Sequence, residues 1–315
     1  MQLHYGIISC ASITDRFLHG ILENGDIIEA IASRSITKAQ EKAKQFSIQK
    51  AYGSYEEVYK DPDVDVVYIS NNNANHVREI KQALSYRKHV ICEKPIALNP
   101  EDGIDLFYYA RKQGCFLMEA QKSLFLPAIQ DIYQIIQTKQ LGKLHQVSLC
   151  SSFPNPAVSW MHDPKQGGVV YGSANYTIEL LDYLLEPSRI HVSALGTKEE
   201  NGTCDRVSIS MLMDDVLINS TISMKSDTKK QAIFYFTNGY IEVPLYWKAR
   251  EYRIISQDQV KRVIYPCPYE MKYEVAHIHA CIAQGLLESP VMSAQRSTIC
   301  CQLVDQIIHQ IEKNC

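Results

Sequence analysis

From residue 3 to about 120, short and almost wholly apolar runs alternate with helix-forming stretches, and this rhythm limits the possible folds more than any other feature. The runs are LHYGIIS (3–9), DIIEAIAS (26–33), VDVVYIS (64–70), KHVICE (88–93) and CFLMEA (115–120). A strand with apolar residues on both sides must be covered on both faces, as in a parallel sheet layered between helices. Helices are expected near 12–22, 37–46, 54–60, 75–86 and 99–113. The last has a well-specified start. Asn99 supplies the N-cap, Pro100 suits the first turn, and Glu101 and Asp102 complement the helix dipole.

After about 121 the rhythm changes. A helix is expected at 127–139, a strand at 145–153, a glycine-containing loop, and a helix at 174–185. From 190 to about 265, alternating segments dominate: IHVSALGT, DRVSISMLM, LINSTISMK, QAIFYFTN, GYIEVP and EYRIISQ, with Thr237-Asn238-Gly239 as one turn signal. That pattern implies a large, mostly antiparallel open sheet, and helices at 270–284 and 293–313 close the chain. The fold class expected is α/β: a Rossmann-type, doubly wound parallel sheet over 1–121, then an α+β domain over 122–315.

A chain of 315 residues can hold two such domains. Charges of both signs are interleaved and sum to −3, which leaves no footprint for nucleic acid and points to a small-molecule partner. MQLHYGIISC lacks the basic start and apolar run of a signal peptide, and no stretch reaches 18 apolar residues; a cytoplasmic protein without membrane contact is expected. The ten cysteines are scattered without metal spacing and read as small core hydrophobes. Asn201 and Asn219 begin N-x-[ST] triplets, which would matter only in a secreted protein. No metal is expected, since His145, His162, His191, His277 and His279 lack ligand spacing with acids or thiolates.

A dinucleotide site needs a tight strand-to-helix turn whose backbone N–H groups face the pyrophosphate. Here the turn is Ser9-Cys10-Ala11-Ser12-Ile13-Thr14, with small residues rather than glycines at 9, 11 and 14. Strand two ends Ala32-Ser33-Arg34-Ser35, without the acid that would take a ribose 2'-hydroxyl; a hydroxyl and a guanidinium suit a 2'-phosphate, which favours NADP over NAD. The fourth run leads straight into Glu93-Lys94-Pro95. A Lys-Pro pair closing an apolar strand at the ligand edge of such a sheet is a more specific signal than the turn.

Together with Asn73-Ala74-Asn75-His76, Met118-Glu119-Ala120, Asp163-Pro164 with Gly167-Gly168, and Glu179 to Leu185, these residues give a chain that closely resembles the Gfo/Idh/MocA family over essentially its whole length. The family is named for glucose-fructose oxidoreductase, inositol dehydrogenase and a rhizopine-catabolism protein. The resemblance implies that Lys94 lies beside the nicotinamide and the reacting carbon, where a cation can hold the substrate oxygen and help move its proton. It also implies that the final residue of a D-x-x-x-[H/Y] element transfers that proton. This chain has Gly172-Ser173-Ala174-Asn175-Tyr176, so Tyr176 matches the tyrosine of dihydrodiol and aldose dehydrogenase-like members, whereas glycine replaces the aspartate. A lysine such as Lys94 would help a tyrosine shuttle a proton by stabilising the phenolate.

The resemblance further places Ser9, Ala11, Ser12 and Ile13 at the pyrophosphate, Ser33, Arg34 and Ser35 at the adenosine end, Asn71, Asn72 and His76 along the cleft, and Glu93 near the nicotinamide ribose. Gln121, Lys122, Trp160 and Asn175 are expected to shape the substrate pocket. The function implied is hydride transfer between NADP, or NAD, and a hydroxyl or carbonyl carbon of a sugar, polyol or dihydrodiol-like molecule. The C-terminal domain would bind substrate and pair subunits across its open sheet, giving a homodimer or homotetramer. Two rivals remain at this point: a catalytically weakened sensor of NADP(H) or sugar, motivated by the missing glycines and acid, and an isomerase or hydrolase that cycles a bound cofactor internally.

Overall fold

The computed structural model describes residues 2–257 and 259–314. The chain divides into two compact units, Met1–Lys122 with Pro268–Thr298, and Ser123–Cys267 with Ile299–Cys315.

In the first unit the elements follow as β1 (His4–Ile8), α1 (Thr14–Asn24), β2 (Ile27–Ala32), α2 (Ile36–Phe46), β3 (Lys50–Tyr52), α3 (Tyr55–Lys60), β4 (Val66–Ile69), α4 (His76–Ser85), β5 (His89–Glu93), α5 (Pro100–Gln113) and β6 (Leu117–Ala120). The strands form one parallel sheet in the order β3-β2-β1-β4-β5-β6, the doubly wound arrangement the apolar runs require. The strand order reverses between β1 and β4, which is where ligands bind in folds of this kind. Phe17 of α1 stacks flat on Tyr68 of β4, ring centroids 3.7 Å apart, and both are fully buried. Burying one such side chain is worth about 1.5–3 kcal/mol, and with Leu18 and Ile21, also fully buried, the pair holds α1 in the core. The α5 start is as expected: Asn99 accepts a hydrogen bond from Asp102 N at 2.8 Å. The three-residue β3 gave no periodic signal in the sequence.

The second unit begins with α6 (Pro127–Gln137), β7 (Leu144–Ser152) and α7 (Asn175–Leu185), and continues through β8 (Ile190–Lys198), β9 (Cys204–Met213), β10 (Val216–Ser223), β11 (Gln231–Phe236), β12 (Gly239–Pro244), β13 (Glu251–Ser256) and β14 (Gln259–Ile264). Their order is β14-β13-β12-β11-β7-β10-β9-β8, antiparallel except between β7 and β10. β9 shows why this sheet alternates in sequence. Val207, Ile209, Met211 and Met213 are buried, while Arg206, Ser208, Ser210 and Leu212 between them are exposed. On the exposed face, Leu212 pairs with Leu217 across the strands, and Leu195 and Tyr235 are also uncovered. At the β8 edge, Gln310 accepts from Ala194 N at 2.8 Å and donates to Val192 O at 3.1 Å, so a side chain occupies groups that a further strand would pair with. β14 carries Lys261 and Arg262 on an exposed edge and lacks the apolar alternation that would have marked it in the sequence.

The last two helices are α8 (Lys272–Ala283) and α9 (Ala294–Asn314). Pro268–Thr298 packs with the first unit, whereas a domain boundary at 121 places it in the second. Physical contacts explain this. Gly20 of α1 lies so close to Met271 that an added Cβ would sit 3.0 Å from its carbonyl carbon, His279 Nδ1 lies 2.9 Å from Asp26, and Arg16 pairs with Glu270. A single sequence does not show such long-range returns of the chain. Cys92, Cys115, Cys267, Cys281, Cys300 and Cys301 are buried, as small hydrophobes would be; Cys315 lies outside the described residues.

Candidate active site

Within the first unit, the turn after β1 is tight despite having no glycine. Ser9 takes φ +87°, the left-handed region that a dinucleotide turn normally gives to glycine and that costs an L-residue about 1–2 kcal/mol. The conformation is held from several sides: Ser9 N donates to Ala32 O at 2.9 Å, Thr14 N to Ala11 O at 3.0 Å, and Thr14 Oγ1 lies 2.9 Å from Ser70 Oγ, which in turn bonds Ile8 O at 3.1 Å. α1 then begins at Thr14 with no side-chain cap, so the positive end of its dipole faces the turn. Ala11 and Ile13 are half-buried and Ser12 is exposed along the same segment.

At the end of β2 both serines are used locally. Ser33 Oγ accepts from Ser35 N at 3.3 Å, and Ser35 Oγ caps α2 by accepting from Lys38 N at 3.4 Å. Arg34, held between them, is exposed. It lines a cavity of about 290 Å³ with Ser9, Asn71, Asn72, Tyr55 and others. Four residues expected at the cofactor therefore meet in one cavity, joined by Asn75 of the Asn73-to-His76 segment and by Tyr55 and Arg78, which belong to no motif.

The Glu93-Lys94-Pro95 segment leaves β5 through a cis Lys94–Pro95 bond and is anchored on each side of the lysine. Before it, Glu93 Oε1 accepts from the buried Tyr68 hydroxyl at 2.7 Å. After it, Pro95 O lies 2.7 Å from His76 Nδ1, and Ile96 N donates to Glu119 Oε1 at 2.9 Å. His76 is fully buried with its other nitrogen 3.1 Å from Asn71 O, so it ties the asparagine loop to the lysine loop instead of opening toward a ligand. Burial pushes its imidazole below the ordinary value, against the pull of the two carbonyls. Glu119, wholly buried in an otherwise apolar strand, is this segment's anchor, and a carboxylate in such a run is the sequence signal for it.

Gln121 and Lys122, expected in the substrate pocket, are 0 % and 4 % exposed. Burial pushes the Lys122 ammonium down to about 7, with Glu93 opposing the shift and Arg16 and Lys94 adding to it. Burial likewise pushes the Glu274 carboxyl of α8 up to about 8, Glu93 adding and Lys122 opposing. Both groups are driven toward their neutral forms, as a low-dielectric interior requires. The first unit thus carries a buried acid–base pair that only the return of α8 assembles.

In the second unit Tyr176 is the second residue of α7 and is half-buried. α7 is preceded by a π-helical turn over Val170–Ala174, a local widening often found where a helix serves a site. Gly172 sits in that turn against Met161: an added Cβ would lie 2.8 Å from Met161 Cε. The place of the usual aspartate is therefore filled by a methionine. Asn175 is buried and donates to Cys300 Sγ at 3.2 Å, while its Oδ1 has no hydrogen-bond partner among the described residues. Trp160 is half-buried in the short turn Ser159–His162, and its carbonyl would meet a Cβ on Gly167 at 2.2 Å, which explains that glycine. Asp163 folds the same loop, accepting from Lys165 N at 2.9 Å and Gln166 Nε2 at 2.6 Å. Among the described residues, no cluster of histidine, cysteine or acids could hold a metal.

Residues 3–121 match the oxidoreductase family with an NAD-binding Rossmann fold, and residues 129–242 match the GFO/IDH/MocA C-terminal domain. Trans-1,2-dihydrobenzene-1,2-diol dehydrogenase of Mus musculus is 30% identical, the match covering 97% of this chain and 96% of that protein. Its Xenopus laevis counterpart is 28% identical over 99% and 98% of the two chains. In overall fold the chain is similar to a 3-ketoreductase from Actinomadura kijaniata solved with NADP and TDP-benzene (TM-score 0.88, 20% identity, 98% of each chain). It is equally similar to levoglucosan dehydrogenase solved with NADH and levoglucosan (TM-score 0.87, 18% identity, 100% and 98% of the two chains). With both domain matches in their family order and a relative of this identity aligned nearly end to end, the chain belongs to the GFO/IDH/MocA oxidoreductase family.

Proposed function

We propose that this protein is an NADP(H)-preferring dehydrogenase or reductase acting on a CH–OH or carbonyl carbon of a sugar, polyol or dihydrodiol-like small molecule. The observation that carries the reading is the doubly anchored lysine: Lys94 leaves the carboxyl end of β5 between bonds to Tyr68 and His76, at the edge of the sheet where such folds bind ligands. The cofactor's fit is supported by the turn that keeps glycine geometry at Ser9, the uncapped α1, and the cavity that Arg34 shares with Ser9, Asn71 and Asn72. A bound nicotinamide nucleotide supplies the hydride chemistry. Ser9 to Ile13 would hold the pyrophosphate, Arg34 the 2'-phosphate, Asn71 and Asn72 the adjoining cleft, and Glu93 the nicotinamide ribose.

In this reading Lys94 polarises the substrate oxygen and Tyr176 passes its proton, taking it up during oxidation and giving it back during reduction. Trp160, Asn175, Gln121 and Lys122 shape the substrate pocket, the three buried ones, Asn175, Gln121 and Lys122, from behind its surface. The exposed sheet face with Leu195, Leu212, Leu217 and Tyr235 suits pairing with a second copy, so a homodimer or dimer of dimers is proposed. Buried, non-motif cysteines suit a reducing compartment such as the cytoplasm. No helix among the described residues is long and apolar enough to cross a membrane.

The test is a screen of aldoses, polyols and dihydrodiols with NADP⁺ and NAD⁺, followed at the reduced-nicotinamide absorbance. Turnover of at least one CH–OH compound with NADP⁺ is expected. Tight NADPH binding with no turnover across the panel would replace this reading with that of a sensor, for which the missing acid at Gly172 is the favouring observation.

A further inference from the structure

The cavity of about 290 Å³ beside Ser9 is lined by two arginines from different elements, Arg34 after β2 and Arg78 in the first turn of α4, and the carboxylates nearby, Glu56 and Glu79, line the adjoining cavity that shares Arg34, Tyr55 and Arg78. The remaining lining is a tyrosine, a serine and three asparagines, all neutral hydrogen-bonding groups. The Arg78 side chain is exposed but held along one edge. Its Nε and Nη2 both donate to Glu79 Oε1, at 3.0 and 2.5 Å, and Glu79 is itself buried and accepts from the Tyr59 hydroxyl at 2.7 Å through its other oxygen. One edge of the guanidinium is thus fixed to a buried carboxylate, which aims the plane while leaving Nη1 for another acceptor. A cavity with two guanidinium groups and neutral donors recognises a compact dianion better than a ribose hydroxyl, because each planar fork can make paired charge-assisted hydrogen bonds.

We propose that Arg78 is the second half of a two-arginine clamp on the 2'-phosphate of NADP(H), with Glu79 and Tyr59 as its positioning residues. The proposal rests on the NADP reading above and adds to it a specificity-determining residue from α4. It means that Arg34 does not carry the cofactor preference alone. It also means that Lys at 78 is a poor replacement: charge is kept, but the fork that lets Glu79 hold one edge while the other meets phosphate is lost.

The experiment is calorimetric titration of the full-length protein, its Arg78→Ala, Arg78→Lys and Arg34→Ala variants, with NADPH, NADH, 2',5'-ADP and 5'-ADP. Arg78→Ala is expected to weaken NADPH and 2',5'-ADP by about 10-fold or more, on the scale of losing a charge-assisted hydrogen bond, and NADH and 5'-ADP by less than about 2-fold. Arg78→Lys should recover less than half of the lost discrimination. Retained NADH affinity serves as the folding control. Equal losses for phosphorylated and unphosphorylated ligands would overturn the clamp and move Arg78 to the pyrophosphate or adenine; unchanged NADPH affinity would overturn it outright. If the unmutated protein itself binds NADPH and NADH alike, the NADP reading fails and the clamp with it. A loss of preference in Arg34→Ala but not in Arg78→Ala leaves the NADP reading standing and removes only the clamp.

Discussion

The turn at Ser9 and the turn at Gly172 depart from the family pattern in opposite directions. In the first, a serine stands where glycine is usual, yet the backbone keeps the left-handed geometry at φ +87°, held by Ala32, Thr14 and Ser70. In the second, a glycine stands where an aspartate is usual, and Met161 occupies the space its side chain would need. Backbone geometry can be imposed by neighbours at a cost of about 1–2 kcal/mol, but a missing carboxylate cannot be imposed by anything. The first substitution therefore keeps the turn's function open, whereas the second, in the function proposed above, leaves the proton to Tyr176 and Lys94.

The sharpest way to break that contrast is to remove the groups said to carry the load. Lys94→Ala and Tyr176→Phe should each lower kcat by about 100-fold or more, with NADPH affinity almost unchanged in Tyr176→Phe. The double variant should fall well short of the product of the two, as expected for groups that act on one proton. Full activity in Tyr176→Phe would mean that the proton passes elsewhere.

Next in size is Gly172→Asp. Restoring the acid displaces the flexible end of Met161, so the cost lies at the low end of overpacking, about 1 kcal/mol, read as a slightly lowered Tm. Adding Met161→Ala should recover part of that loss, giving a non-additive pair. An unchanged Tm in Gly172→Asp alone would show that the π-helical turn yields easily and that Met161 is not what excludes the acid.

The smallest effect belongs to Ser9→Gly. Relief of the left-handed strain is offset by about 0.5–1 kcal/mol of extra chain entropy in the unfolded state, so stability should change by less than about 1 kcal/mol and NADPH affinity by less than about 2-fold. A large gain in affinity would show that the serine turn is a compromised binding site and not an equivalent one.

The same contrast marks what the sequence made legible. Both-faced apolar strands, the Asn99 cap and the alternating segments of β9 to β12 follow from short-range periodicity, and they place the sheets and most helices within a few residues. Lys94, Arg34 and Asn71 are readable because they sit at strand ends in a fixed order. His76 is readable as a position but not as a tie between two carbonyls, since nothing local says which backbone groups it will meet. Arg78 and Tyr55 are invisible in sequence because the cavity they line is assembled from several elements, and Glu274 arrives from a segment about 150 residues beyond Lys122. Lys122, expected at the substrate pocket, is buried, and the sequence does not show the segment that covers it.

The central claim is hydride transfer between the nicotinamide and a carbinol carbon, and isotope tracing tests it most directly. A substrate found in the panel, carrying deuterium on its carbinol carbon, would be turned over with NADP⁺ and the cofactor examined by mass spectrometry. The account predicts one deuterium on the reduced nicotinamide for each substrate oxidised. Substrate conversion with no label on released cofactor would contradict it and point to internal cycling of a bound cofactor.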